Sequence, residues 1–250
     1  MTDPGPPPNA RDGHTWPVWP AWLIACGGLL YATWVAVSLL VPVGLDPVTS
    51  YVSELSATDQ PASALLRVSD ALSGVLVGIG AAAILSGRTS HPERAGWLAL
   101  AVFGAATIAD AAAPLSCAAT ADLRCAAAEA AGAVPLTHVI HAGTSAVAGA
   151  ALALAVVLLS WLVRHDGRAL AITGAGYLAG TAWTLVEMAR GALVLPWPAY
   201  PPVLGVAQRF QLVMAAAWLL LLAVSLAPVS YTHLRAHETD SYLVCRLLLE

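Results

Sequence analysis

The sequence predicts an all-α protein built as a polytopic membrane bundle of six transmembrane helices. The 250 residues are 58% hydrophobic and only 10% charged, with a mean hydropathy of +0.73. This is more apolar surface than one water-soluble core can bury. The apolar residues also fall into six runs, each close to the ~20 residues with which an α-helix crosses ~30 Å of hydrocarbon. The runs cover residues 21–43, 67–87, 96–116, 136–163, 169–189 and 206–226.

Two terminal segments are predicted to lie outside the transmembrane domain, which we place at residues 19–228. Residues 1–18 are polar and rich in proline, and we expect them to form a disordered tail. Residues 229–250 resemble the translation of a sequencing-library adapter rather than natural protein. The histidines and the cysteine of this last segment are therefore not counted among the candidate ligands.

The few charges indicate which partners the protein has. The formal net charge is -4, and the charged residues are spread thinly between long apolar runs. No basic stripe is present that could neutralise the phosphates of a nucleic acid, so nucleic-acid binding is not expected. The partner that this composition predicts is the lipid bilayer.

Arginine placement in the short loops predicts the orientation. The loops at residues 88–94 and 164–168 each carry two arginines, and Arg11 lies on the same side of a six-helix chain. Short loops rich in arginine stay in the cytoplasm. The alanine-rich, lysine-free composition is typical of a bacterium with a GC-rich genome. We therefore expect a multi-pass protein of the bacterial inner membrane with a cytoplasmic N-terminus.

Two cysteines fall in the second of the outer loops. Cys117 and Cys125 are close in sequence, and an oxidising compartment outside the membrane would permit a disulfide between them. The alternative is a pair of free thiols in an alanine-rich loop. The sequence leaves both possibilities open.

Ionisable residues inside the apolar runs are the candidate functional residues, because a charge in the membrane is costly and normally faces protein or a water-filled cavity. Asp110 lies ~9 Å short of the outer end of the third helix. His138 and His141 lie in the first two turns of the fourth helix, and their i, i+3 spacing puts both imidazoles on one face. An acid and two imidazoles are therefore expected at one depth.

The fifth and sixth helices bring further polar groups to this depth. Glu187 lies near the outer end of the fifth helix, and Gln208 and Arg209 lie at the start of the sixth. We therefore predict a polar cavity in the outer part of the bundle that opens outward, with Glu54 of the first outer loop over its mouth. The residues predicted to line it are Asp110, His138, His141 and Arg209.

The first outer loop carries Asp46-Pro47 followed by Ser53-Glu54-Leu55. With the aspartate late in the third helix, the histidine early in the fourth and the Gln-Arg pair of the sixth, this pattern resembles the bacterial and archaeal membrane family called domain of unknown function 998. The resemblance covers residues 21–226. It implies the topology and a candidate pocket, and it implies no activity. The pocket positions that it implies are Ser53, Glu54, Asp110, His138, Gln208 and Arg209.

Two functions from different classes fit these residues. The first is a binder or transporter whose cavity holds a lipid headgroup or a small polar ligand, with Arg209 on the anionic part of that ligand. The second is a metal-dependent intramembrane hydrolase in which Asp110, His138 and His141 bind zinc. Either Glu54 or Glu187 would then act as the base. This second arrangement resembles the ceramidase-like hydrolases in outline, with a different histidine pattern.

Purely structural roles are alternatives for the same residues. Asp110 can be neutralised by Arg209 or by a histidine, and Glu187 can form a helix-end ion pair with Arg190. Ser53 can cap a short interfacial helix in which Glu54 occupies the first turn. A structural or accessory membrane protein would need no more than this.

Overall fold

A computed structural model describes residues 18–87, 89–162, 167–192 and 203–226. Within these ranges the chain is all-α, and six helical stretches are long and apolar enough to cross a membrane, which confirms the predicted fold. The adapter-like tail, the arginines Arg11, Arg88 and Arg164, and all of the N-terminal tail except Val18 lie outside the described residues. The helices are α1 Trp19–Tyr31, α2 Thr33–Leu40, α3 Ser63–Leu85, α4 His91–Ala112, α5 Leu123–Ala130, α6 Leu136–Leu162, α7 Arg168–Ala192 and α8 Leu204–Leu226.

The first membrane span consists of α1 and α2, which are separated at Ala32, and α3, α4, α6, α7 and α8 form the other five. α4 begins earlier than the hydropathy pattern indicates. The backbone N–H of Ser90 donates to the Glu93 carboxylate at 2.7 Å, and the Ser90 side chain accepts from the backbone of Glu93. This capping box, with Pro92 in the first turn, starts the helix at His91 although the residues there are polar.

The six spans pack in a closed ring. α1 contacts α3 and α8, α3 contacts α4, α4 contacts α6, α6 contacts α7, and α7 contacts α8. The approach of α3 to α4 depends on glycine, because a Cβ on Gly74 would lie 2.5 Å from the carbonyl oxygen of Gly104. Of the neighbouring pairs in the ring, α6 and α7 are the least closely packed.

The connections at residues 41–62 and 113–135 fold over one end of this ring, and we call them the loop cap. A short 3-10 helix at Ser53–Ser56 lies in the first connection, and its Leu55 is fully buried. Leu55 belongs to a second apolar cluster, which also includes Trp34, Leu66 and Ala118. The loop cap is therefore anchored by its own small core and closes one end of the bundle.

The second connection of the loop cap contains α5 and a disulfide. Cys117 and Cys125 are joined, and their Cα atoms lie 6.0 Å apart. The Asp122 side chain accepts a hydrogen bond from the backbone N–H of Arg124 at 2.8 Å and so starts α5 between the two cysteines. Of the two possibilities that the sequence leaves open for this pair, the structure contains the disulfide.

Candidate functional site

Glu54 joins the two connections of the loop cap. It is only 2% exposed. One carboxylate oxygen accepts the backbone N–H of Thr120 at 2.8 Å, and the other accepts the Thr120 hydroxyl and the backbone N–H of Tyr51, the latter at 3.0 Å. Burial raises the pKa of the Glu54 carboxyl above its ordinary value, and these hydrogen bonds offset part of the rise. Glu54 therefore holds the two connections together. Ser53 does not cap the 3-10 helix with its side chain, which was the structural role considered for it from the sequence.

Gln208 and Arg209 fix the first connection onto α8. The Gln208 side-chain oxygen accepts the backbone N–H of Val52 at 2.6 Å. Arg209 donates from Nη1 to the carbonyl oxygens of Pro47 at 2.8 Å and Ser50 at 2.9 Å. The sequence offered the ligand or Asp110 as the partner of Arg209, and in the structure its Nη1 atom instead donates to these backbone carbonyl oxygens.

Asp110 is the centre of a polar cluster between α4 and α6. Its Oδ1 atom accepts the hydroxyl of Thr144 at 2.6 Å and that of Ser145 at 2.8 Å. The Nδ1 atom of His141 lies 3.4 Å from the same oxygen. Of the two partners considered from the sequence, the structure places His141 rather than Arg209 beside Asp110.

The Nδ1 atom of one α6 histidine accepts a hydrogen bond, and the Nδ1 atom of the other donates one. His138 Nδ1 lies 3.2 Å from the backbone nitrogen of Ser116, so it accepts, and the proton of the neutral ring lies on Nε2. His141 Nδ1 lies 3.1 Å from the carbonyl oxygen of Ala113, so it donates, and Nε2 of the neutral ring is an acceptor. The pair therefore presents one Nε2–H donor and one Nε2 acceptor.

The zinc-hydrolase interpretation does not fit this geometry. Within the described residues, no group of three His, Cys, Asp or Glu side chains is placed to hold a metal ion. Asp110 contacts the Nδ1 edge of His141, while the ring nitrogen left for a ligand is Nε2 on the opposite edge. A carboxylate in that position orients the ring and cannot bind the same ion as Nε2. Glu54 is engaged in the loop cap and is not available as a base.

Glu187 has the structural role that its spacing allows. Its Oε1 atom lies 3.1 Å from Nη1 of Arg190, one turn further along α7. Glu187 is buried and Arg190 is half-exposed. The carboxylate is thus neutralised within its own helix, and it does not contribute to the walls of the cavities described below.

Two adjoining cavities lie beneath the loop cap. The central cavity, of about 130 Å³, lies inside the ring, is lined by residues of all six spans and is roofed by Val52, Ser53 and Ser56. The side cavity, of about 480 Å³, lies between α6 and α7 and is lined by His138, His141 and Thr184 among others. Five residues line both: Ser53, Ser145, Gly149, Gln208 and Gln211.

A family model described as "Protein of unknown function (DUF998)" matches residues 24–225, which cover all or nearly all of each of the six spans. The chain belongs to this family. No curated protein and no solved structure matches it.

The positions through which the sequence resembles DUF998 divide into two groups. Ser53, Asp110, His138 and Gln208 line one or both cavities. Glu54 and Arg209 hold the loop cap in place above them. His141, which was selected from its depth alone, lies beside His138 in the wall of the side cavity.

Several lining residues lie outside the set of site residues selected from the sequence. Asp70 on α3 faces the central cavity together with Asp110. It is an ionisable residue inside an apolar run, so the criterion that selected Asp110 would have found it. Gln211 and Thr184 also line the side cavity. Uncharged polar residues are common in membrane helices, and no sequence signal distinguishes these two from others.

Proposed function

We propose that this DUF998 protein binds, or moves across the membrane, a small polar ligand or a lipid headgroup held in the two adjoining cavities. Two buried polar side chains that line the side cavity, those of His141 and Thr184, support this. His141 is 4% exposed and Thr184 is 7% exposed, yet within the described residues His141 Nε2 and Thr184 Oγ1 have no hydrogen-bond partner. A buried polar atom without a partner costs about 1–3 kcal/mol, so a ligand that satisfies both atoms gains this free energy on binding.

The charges of the lining residues favour a ligand that carries a hydrogen-bond donor. Asp70 and Asp110 line the central cavity and Glu129 lines the side cavity, while the described residues contribute no arginine to either wall. This differs from the expectation that Arg209 binds an anionic group. A ligand with an ammonium or hydroxyl group is complementary to these walls.

The position of the site in the membrane is part of the proposal. The loop cap contains the Cys117–Cys125 disulfide, and disulfides persist in oxidising compartments. Together with the arginine-rich loops at the opposite end, this supports a loop cap on the outer face of a bacterial inner membrane and a cytoplasmic N-terminus. The ligand would then be received from the outer half of the bilayer.

Two glycines of α6 provide a matched test. A Cβ on Gly149 or on Gly143 would meet no neighbouring atom, so a larger residue fits at both positions. Gly149 lines both cavities, and Gly143 lines neither. Molecules that remain bound to the purified protein would be extracted and identified by mass spectrometry for wild type, Gly149→Leu and Gly143→Leu.

We expect wild type and Gly143→Leu to retain the same molecule and Gly149→Leu to lose it. All three proteins should elute as folded monodisperse species in detergent. Equal retention by the three folded proteins, or retention of nothing by any of them, would contradict the proposed function.

A further inference from the structure

We propose that the ligand is a membrane lipid with a phosphoethanolamine-type headgroup, and that it enters the side cavity through the bilayer between α6 and α7. This inference rests on the proposed function and names the class of ligand. In this arrangement the headgroup lies against His138 and His141 below the loop cap. One acyl chain extends along α6 toward the middle of the membrane.

The gap between α6 and α7 is the entrance. α6 packs closely on α4, and α7 packs closely on α8, while α6 and α7 are the least closely packed neighbours in the ring. The side cavity lies at this position, with its α7 wall formed by Thr181, Thr184, Leu185 and Met188. The lateral surroundings of a membrane span are lipid, so a ligand that enters here comes from the bilayer.

Small residues on α6 leave room for an acyl chain of the lipid. Below the two histidines, the wall of the side cavity on this helix consists of small residues, namely Ala142, Ser145, Ala146, Gly149, Ala150 and Ala153. Elsewhere in the bundle small residues bring helices together, as Gly74 does with Gly104. On α6 a Cβ at Gly149 meets nothing, so the small residues there leave open space instead. The cavity of about 480 Å³ has the size of a ligand pocket.

The polarity of the side cavity changes along its length. His138, His141, Tyr51 and Glu129 lie at the loop-cap end, and Ala153 lies ~22 Å further along α6 at the helical rise of 1.5 Å per residue. A polar solute would leave the apolar part of this cavity empty. A lipid fills both parts, because its headgroup is polar and its chain is apolar.

The polar end matches a zwitterionic headgroup that bears a primary amine. His141 Nε2, Thr184 Oγ1 and the Glu129 carboxylate are acceptors for an ammonium group. His138 Nε2–H is a donor for a phosphate oxygen. A quaternary ammonium has no N–H to donate to His141, and a glycerol headgroup has no cation for Glu129. We therefore expect selection against phosphocholine and phosphoglycerol lipids.

The test is native mass spectrometry of the full chain in detergent, titrated with dioleoyl phosphatidylethanolamine, phosphatidylcholine or phosphatidylglycerol. Glycerophosphoethanolamine serves as the headgroup without chains. We expect phosphatidylethanolamine to bind at least ~10-fold more tightly than the other two lipids, which corresponds to the loss of one charge-assisted hydrogen bond. Equal binding of the three lipids, or preference for phosphatidylglycerol, would overturn the choice of headgroup.

A pair of α6 variants tests the path of the lipid acyl chain. Ala150 lines the side cavity, and Val147 on the same helix is half-exposed and does not line it. Ala150→Trp should weaken phosphatidylethanolamine binding at least ~10-fold and leave glycerophosphoethanolamine binding unchanged, whereas Val147→Trp should change neither. Tight binding of the headgroup alone, with no gain from the chains, would overturn the lipid assignment and leave the proposed polar site standing. Binding that Gly149→Leu does not affect would instead contradict the site itself.

Discussion

The carboxylate of Glu54 in the first connection accepts hydrogen bonds from both the backbone N–H and the hydroxyl of Thr120 in the second, although the two residues are 66 positions apart. The Thr120 hydroxyl also lies 2.7 Å from the Ser50 hydroxyl. Because the same first connection roofs the central cavity with Val52 and Ser53, the position of this roof depends on the Glu54–Thr120 contact. The loop cap and the cavity beneath it are thus one structural unit.

Thr120→Val should loosen the loop cap. The substitution keeps the shape of the side chain and removes the hydroxyl donor from a buried carboxylate, which costs about 1–3 kcal/mol of unfolding free energy. Thermal unfolding in detergent and protease cleavage of the first connection would measure it. Thr58→Val is the control, since the Thr58 hydroxyl donates to Ser116 at 2.9 Å in an exposed interloop contact. Equal effects of the two substitutions would show that burial of the Glu54 contact contributes nothing.

Glu54 also predicts a pH dependence of stability. Its folded-state pKa lies above the ordinary value of 4.5, with burial as the main cause. The folded protein therefore binds this proton more tightly than the unfolded chain does. The stabilisation that comes from tighter proton binding to folded Glu54 is fully present below the unfolded-state pKa, and it is lost as the pH rises through the raised folded-state pKa.

The measurement is the unfolding temperature across the mildly acidic range for wild type and Glu54→Gln. The variant cannot titrate, so its curve should lack the decrease that wild type shows with rising pH. Above the folded-state pKa of Glu54 the variant should also lose hydrogen bonds, because the amide NH₂ of Gln replaces a carboxylate acceptor with a donor that faces Thr120 or Tyr51. Parallel curves for the two proteins would contradict the raised pKa.

Arg209→Met should release the first connection from α8. The substitution removes the donor to the carbonyl oxygens of Pro47 and Ser50 while it keeps an apolar side chain of similar length. We expect faster protease cleavage within the first connection and a lower unfolding temperature. Arg124→Met in the exposed part of the second connection is the matched control and should leave both unchanged. An effect of Arg209→Met on bound ligand with an intact loop cap would favour the anion-binding role predicted from the sequence.

The number and type of the membrane helices could be predicted because hydropathy and length alone decide them. The residues at which these helices begin and end were predicted less accurately. α4 begins at His91 because the hydrogen bonds of Ser90 and Glu93 stabilise its polar first turn, and a hydropathy pattern does not register such contacts. α5 was missed for the same reason, since it is short and amphipathic and lies outside the membrane spans.

The sequence predicted how deep the candidate-site residues lie in the membrane, but it did not predict their hydrogen-bond partners. Asp110, His138 and His141 could be placed at one level because helix geometry fixes the rise per residue. The role of Arg209 depended on where the first connection folds, which is decided by a small apolar cluster around Leu55 rather than by any local motif. Depth in the sequence thus identified part of the cavity walls, including Asp110, His138 and His141, while the fold of the loop cap determined the partners of Arg209.

The predicted orientation can be tested with single cysteines. His91→Cys lies in an exposed position at the arginine-rich end, and Ala121→Cys lies in an exposed position of the loop cap. Both would be made in a chain with Cys26→Ala and Cys245→Ala, which leaves Cys117 and Cys125 joined in their disulfide. A membrane-impermeant maleimide added to intact cells should label Ala121→Cys and not His91→Cys. The opposite result would invert the topology and place the loop cap in the cytoplasm.

Substitutions at Asp110 separate a functional role from a structural one. In Asp110→Asn the side-chain oxygen can still accept the hydroxyls of Thr144 and Ser145, so folding should be retained while the negative charge next to His141 is lost. His141 Nδ1 keeps the Ala113 carbonyl as its partner. We therefore expect weaker phosphatidylethanolamine binding in native mass spectrometry with little change in unfolding temperature.

Asp110→Leu is the comparison. Thr144 can fall back on the carbonyl oxygen of Ile140, at 3.1 Å, but Ser145 loses its hydrogen-bond acceptor, so the expected cost is about 1–3 kcal/mol. Arg209 does not enter this cost, because its guanidinium donates to the loop cap rather than to Asp110. If Asp110→Asn and Asp110→Leu destabilise the protein equally and leave lipid binding intact, the carboxylate serves only to pack α4 against α6. If Asp110→Asn alone abolishes binding in a folded protein, its charge acts on the ligand through His141.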